Sequence, residues 1–204
     1  PLLSDNTTYF LAIDFDKHNW LAEATRLQAA AASLHLPSYL ERSRSGNGGH
    51  VWLFFEINIP ATKARLLGKL LLQKAGIASR KTFDRMFPSQ DIHTGKGFGN
   101  LIALPLHGHA IRQQNTVFIN LDGTAYPDQW EFLKACTKIA SSDIDTILRK
   151  TAPSIPPHPR TKRLPNRVQE NAPADETKTT QTTEIKLILS NQVYIPETSL
   201  PDIL

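Results

Sequence analysis

Apolar and polar positions alternate from Phe10 to Asp16, with Leu11, Ile13 and Phe15 on one side and Ala12, Asp14 and Asp16 on the other. That period of two predicts a strand. The stretch "WLAEATRLQAAAASLHL" that follows is rich in Ala and Leu and predicts a helix stopping before Pro37, because the residue ahead of a proline is driven out of the helical region. A second strand is predicted at "HVWLFFEINI", entered from the loop "SRSGNGG". In "PATKARLLGKLLLQKAG", Pro60 stands where a first helical turn tolerates it, Ala64, Leu67 and Leu71 form an apolar stripe, and Gly76 supplies the stop. Further strands are predicted at "LIALPL" and "TVFIN", and a helix at "PDQWEFLKACTKIA" with Asp128 in its first turn. Strands and helices interleave without an internal repeat, which predicts an α/β (α+β) domain with helices layered on a sheet.

The pattern changes at Ala152. "APSIPPHPRTKRLPNR" and "NAPADETKTTQTT" hold almost no large apolar residues and much Pro and Thr, so they cannot bury enough surface to offset their ordering entropy. Residues 1–150 are therefore expected to form the folded domain and 151–184 a flexible linker. Residues 185–204 regain strand character and read as the start of a following region in a longer chain. Arg160, Lys162, Arg163 and Arg167 give the linker a basic run, expected to be solvated and able to touch a nucleic-acid backbone.

Composition narrows the class. The 204 residues are 40% hydrophobic, as in an ordinary soluble domain. No apolar run approaches a membrane span, and "PLLSDNTTYF" lacks the regions of a signal peptide, so a cytoplasmic protein without a membrane partner is expected. The single cysteine, Cys136, excludes an internal disulfide and a Cys-rich zinc site. A net charge of +4 permits a polyanionic partner without requiring one.

Three stretches carry chemistry. Asp14 and Asp16 project from the same side of a strand, about 6 to 7 Å apart by strand rise, and paired acids so placed bind hard divalent cations that bridge phosphates. A solvated strand end would leave the same two letters, and so would the D-x-D of a metal-dependent nucleotide-sugar transferase. The D-x-D-G-T of haloacid dehalogenase phosphatases is missing its turn, since Lys17 and His18 follow Asp16. In "SRSGNGGHVW", Gly46, Gly48 and Gly49 precede His50; such glycines let backbone N–H groups approach phosphate, although a plain hairpin turn uses them too. No Gly-Lys-Ser/Thr follows, so this is not a Walker A loop. In "FDRMFPSQDIHTGKGFGN", Asp91 is a candidate third metal ligand and Lys96 a candidate phosphate contact. His107 and His109 have no acidic or cysteine companion nearby in sequence and read as surface-turn residues.

Taken together, an apolar strand ending in D-x-D, a Ser/Gly-rich loop ending in a histidine on the next strand, and a later aspartate before an apolar stretch resemble the three motifs of archaeo-eukaryotic primases. "FLAIDFD", "SRSGNGGHVWLFFE", "FDRMFPSQD", "GKGFGNLIALPL" and "DQWEFL" are most similar to the primase domain of TOTE conflict-system proteins, where it precedes a superfamily II helicase. "SNQVYIPETSLP" looks like the approach to that helicase. The resemblance implies an archaeo-eukaryotic primase fold, an RNA-recognition-motif-like antiparallel or mixed sheet joined to a second α/β unit with the active site between them. It implies a DNA primase or primase-polymerase, a DNA-directed nucleotidyltransferase using two Mg2+ or Mn2+ ions, nucleoside triphosphates and single-stranded DNA or a primed template. A primase-like module that binds nucleic acid without catalysis and positions a helicase is the alternative. By position, Asp14, Asp16 and Asp91 match the metal-binding acids and His50 the nucleotide-contacting histidine, with Gly46, Gly48 and Gly49 beside it. The family's Ser-x-His reads Gly48-Gly49-His50 here, which leaves Ser45 for any serine contact. Asn100 stands near the place where related primases carry an arginine, so the triphosphate's basic partner is open among Arg44, Lys96 and Arg85.

Overall fold

The computed structural model describes residues 2–77, 83–95 and 101–151, all within the unit Pro1–His158. Lys96 and Asn100, the basic run from Arg160 to Arg167, and the predicted linker and following region lie outside the described residues.

The elements are β1 (Thr7–Phe15), α1 (Trp20–Ala32), β2 (Tyr39–Arg42), β3 (Gly49–Pro60), α2 (Ala61–Lys74), β4 (Arg85–Phe87), α3 (Gly108–Ile111), β5 (Phe118–Ile119), α4 (Gln129–Ala135) and α5 (Ser141–Thr151). The five strands form one sheet in the order β4-β1-β3-β2-β5, antiparallel at every pairing. Among the described residues no second sheet accompanies it.

The predicted alternation in β1 is only half the pattern. Leu11, Ile13 and Phe15 pack with Ala24 and Leu27 of α1 and Ala64, Leu67 and Leu71 of α2. The opposite face is apolar as well, with Phe10, Ala12, Trp52, Phe87 and Phe118 in a second cluster. A central strand covered on both sides has no place for charge except at its end, and Asp14 and Asp16 stand at that end.

Three expectations shift. The first helix stops at Ala32, not at Leu36: His35 adopts a φ of 56°, and the Leu36 N–H returns to the Ala31 carbonyl at 3.0 Å, a closure that ends a helix before any proline is reached. "LIALPL" is not a strand, since Leu101 and Leu104 are 64% and 65% exposed and no ladder includes them. The helix in "PDQWEFLKACTKIA" is confined to Gln129–Ala135; Asp128 lies just outside it and caps it, accepting the Trp130 and Glu131 N–H groups at 3.0 and 2.9 Å.

The loop before β3 is packed tightly against the end of β1. A Cβ on Gly48 would stand 2.6 Å from the Phe15 carbonyl oxygen, and one on Gly49 would enter the Trp20 ring and lie 2.7 Å from the Glu41 carbonyl oxygen. Backbone cannot retreat as a flexible side chain does, so Gly49→Ala is expected to destabilise the fold by roughly 3 kcal/mol. That is about 6 to 12 °C in melting temperature for a chain of this size. A melting curve within about 2 °C of wild type would contradict this close approach.

Candidate functional site

Strand register aligns four polar side chains in a row across the sheet. Asp14 of β1 is the partner of Arg85 on β4 and of His50 on β3, and His50 is in turn the partner of Glu41 on β2. The neighbouring row is apolar, made of Phe87, Ala12, Trp52 and Tyr39. Aromatic stacking continues along it, Trp52 on Phe54 at 6.0 Å and Phe54 on Tyr39 at 5.9 Å between ring centroids. The polar row is thus a band at the edge of a buried aromatic surface.

Within the row the contacts are close. His50 is buried; its Nε2 lies 3.5 Å from Asp14 Oδ1 and its Nδ1 2.8 Å from Glu41 Oε2. Arg85 Nε bonds Asp84 Oδ2 at 2.5 Å and stands 3.9 Å from Asp14 Oδ2. Asp16 is half exposed and paired with Lys17 Nζ at 2.8 Å. The Asp14 carboxyl is pushed above the ordinary carboxylate range. Burial is the main cause, opposed by His50 and Arg85 and reinforced by the charges of Asp84 and Asp16. Burial and like charges together make ionised Asp14 costly in the fold.

Of the residues singled out in the sequence, Asp14, Asp16 and His50 are brought together. Asp91 Oδ1 pairs with Arg65 Nε of α2 at 2.6 Å. Asp84 stands beside Asp14. Its N–H donates to the Asp14 carbonyl at 2.9 Å, which ties it to the end of β1. The glycines are committed to packing, with Gly48 and Gly49 buried and the Gly48 carbonyl accepting the Ser43 N–H at 2.8 Å. Gly46 turns the loop at a φ of 78°. Ser45 Oγ lies 3.1 Å from Ser43 Oγ and accepts the Asn47 N–H at 3.2 Å. Arg44 is exposed, and of the two basic candidates among the described residues Arg85 stands beside Asp14.

Sequence reasoning missed Asp84 and Glu41. A signal for Asp84 was available, since in "FDRMF" it directly follows an aromatic residue and only Arg85 separates it from the apolar pair Met86-Phe87. Glu41, between Leu40 and the exposed-looking "RSRSG", carries no such signal.

Beside β4 a cleft of about 420 Å³ is lined by Arg65, Lys69, Asp84, Arg85 and Ser89. It carries positive charge up to the border of the acid cluster. Among the described residues no helix is long and apolar enough to cross a membrane.

A family model described as the archaeo-eukaryotic primase domain of the TOTE conflict system matches residues 1–147. No curated protein matches the chain.

Proposed function

The chain belongs to the archaeo-eukaryotic primase domains of TOTE conflict systems, and from that membership we infer that it is a DNA-directed nucleotidyltransferase, a primase or primase-polymerase that joins nucleotides on a single-stranded template. The observation that carries this reading is the row Arg85, Asp14, His50, Glu41, with Asp84 and Asp16 flanking Asp14. A carboxylate cluster and a histidine on one face, bordered by a basic cleft, suit a substrate that is a polyphosphate bound with divalent cations.

The donor set fits a hard cation. Asp14, Asp16 and Asp84 offer only oxygen, the ligand type that magnesium and manganese prefer. Two of them are already held by cations, Lys17 on Asp16 and Arg85 on Asp84, as expected where negative charge is in excess. Among the described residues no three such groups already converge as a metal site. Binding would therefore exchange the Lys17 and Arg85 pairings for ligation. Asp14, Asp16 and Asp84 would hold the ions, whose chemistry is to acidify a 3′-hydroxyl and neutralise charge on the departing pyrophosphate.

The remaining work falls to the chain's own residues. His50 Nε2 faces the Asp14 side and, with both ring nitrogens protonated, would donate to a phosphate oxygen of the nucleotide. Arg85, once released from Asp84, would meet the triphosphate with the cations of the adjoining cleft. The buried aromatic row keeps the floor of the site rigid and dry, which strengthens each of these polar contacts.

Incubation with manganese, labelled nucleotides and a primed template tests the reading directly: template-dependent extension is expected. Binding of template without incorporation would move the domain to the non-catalytic class. His50→Ala should raise KM for nucleotide by about tenfold or more while manganese affinity changes little. A sharp loss of manganese affinity with nucleotide affinity intact would remove His50 from the phosphate.

A further inference from the structure

Glu41 is fully buried, and a carboxylate in that position carries a desolvation penalty that an indole partner alone does not require. Its Oε2 accepts from Trp52 Nε1 at 2.6 Å and lies 2.8 Å from His50 Nδ1, while Oε1 has no hydrogen-bond partner within the described residues. If Trp52 were the only concern, a neutral acceptor would serve at lower cost.

We propose that Glu41 is a positioning residue for His50, holding a proton on Nδ1 so that Nε2 alone turns toward the Asp14 site. The inference rests on the phosphate-contacting role given to His50 above. An indole N–H can only donate, so Oε2 acts there as an acceptor. For the second contact at the same oxygen to be a hydrogen bond, the proton must sit on Nδ1. The ring is then oriented by Glu41 at Nδ1, with Nε2 3.5 Å from Asp14 Oδ1 and the Trp52 ring edge-on at 6.0 Å and 84°. Without Glu41 either tautomer is open to the imidazole, and a half-turn of the ring would present carbon to the phosphate in place of nitrogen. The same logic governs histidines elsewhere whose far nitrogen is held by a carboxylate.

The test reads the tautomer without reference to activity. In protein with 15N-labelled histidine, long-range proton–nitrogen spectra report which nitrogen of His50 bears hydrogen, the signal being assigned by its loss in His50→Gln. The expected wild-type pattern has Nδ1 protonated; Nδ1 bare with Nε2 protonated overturns the proposal at once, with no variant needed. Glu41→Leu should scramble the tautomer and weaken binding of ATP or dATP with magnesium by about tenfold, the lower end for such partners. Glu41→Gln, which keeps a carbonyl oxygen for Nδ1, should restore most of both. Trp52→Phe keeps an aromatic ring and the His50–Glu41 contact and should leave the Nδ1 proton in place. If Glu41→Leu fails to fold, Glu41→Leu with Trp52→Phe removes the stranded indole donor and carries the same expectation. Unchanged tautomer and nucleotide affinity in either leucine variant would reject Glu41 as a positioning residue, as would loss of the Nδ1 proton in Trp52→Phe. A wild type that binds no nucleotide would count against the nucleotidyltransferase reading, and the spectrum would still decide the role of Glu41.

Discussion

Asp84→Asn is expected to lower template-dependent nucleotide incorporation by about a thousandfold or more, the scale on which removing a group that stabilises transition-state charge is felt, while Asp91→Asn leaves incorporation within a few-fold of wild type. The two acids lie seven positions apart in "FDRMFPSQD", and the sequence favoured the second. Geometry reverses the preference. The Asp84 N–H is bonded to the Asp14 carbonyl, its side chain shares Arg85 with Asp14, and its charge is felt by the Asp14 carboxyl. Asp91 is neutralised by Arg65, whose guanidinium also donates to the Pro88 carbonyl at 3.3 Å. That arrangement braces the turn after β4 against α2. Asp91→Asn should therefore show itself as a modest loss of stability. The measurement is single-nucleotide extension of a primed template by both variants at equal protein concentration. Full activity in Asp84→Asn, or abolished activity in a folded Asp91→Asn, would return the third acid to the position read from the sequence.

The parts of the fold read correctly from the sequence are those where many residues repeat one pattern. β1, β3 and α2 each run for nine residues or more, long enough for period two or 3.6 to declare itself. β2 and β4 run for four and three residues and are strands only because β1 and β3 give them edges to join. No local propensity marks so short a segment, yet these two strands bring Glu41 and Arg85 into the row and Asp84 to its flank. The opposite error has the same root. "LIALPL" looks like a strand by composition, and nothing in its own letters reveals that no edge receives it. The site was half readable for the same reason. Asp14, Asp16 and His50 sit on the long strand β1, just past its end, and on the long strand β3, and their alignment follows from pairing those two. The glycines suit a phosphate cradle or a hairpin turn alike, because sequence cannot tell a backbone left open for a ligand from one packed against a neighbour. Gly49 against the Trp20 ring is the second kind.

Asp14→Asn is expected to make the metal-free protein at least as stable as wild type at neutral pH, and to abolish incorporation. The Asp14 carboxyl is held above the ordinary range, chiefly by burial and then by Asp84 and Asp16, which outweigh the pull of His50 and Arg85. A raised carboxyl pKa means that the ionised form is the disfavoured one in the fold. The cost is absent below the unfolded-state value near 3.9, grows as pH rises through the higher folded-state value, and is fully present at neutral pH. Asparagine removes that charge, so its advantage over wild type should be greatest near pH 7 and shrink as pH falls toward about 4. Manganese should act unequally on the two proteins. An ion bound only by the folded state stabilises it by about 2.7 kcal/mol at a hundredfold excess over its Kd. For a chain of this size that is roughly 5 to 11 °C in melting temperature. The wild type should gain that shift, and Asp14→Asn should lose most of it. A structural role for Asp14 predicts the reverse, since removing one partner of a needed buried pair destabilises the chain and leaves any metal response untouched. Melting curves of both proteins at pH 4 and pH 7, with and without manganese, separate the two: an Asp14→Asn protein that unfolds early at pH 7 yet keeps its full manganese shift would sink the catalytic reading of this strand.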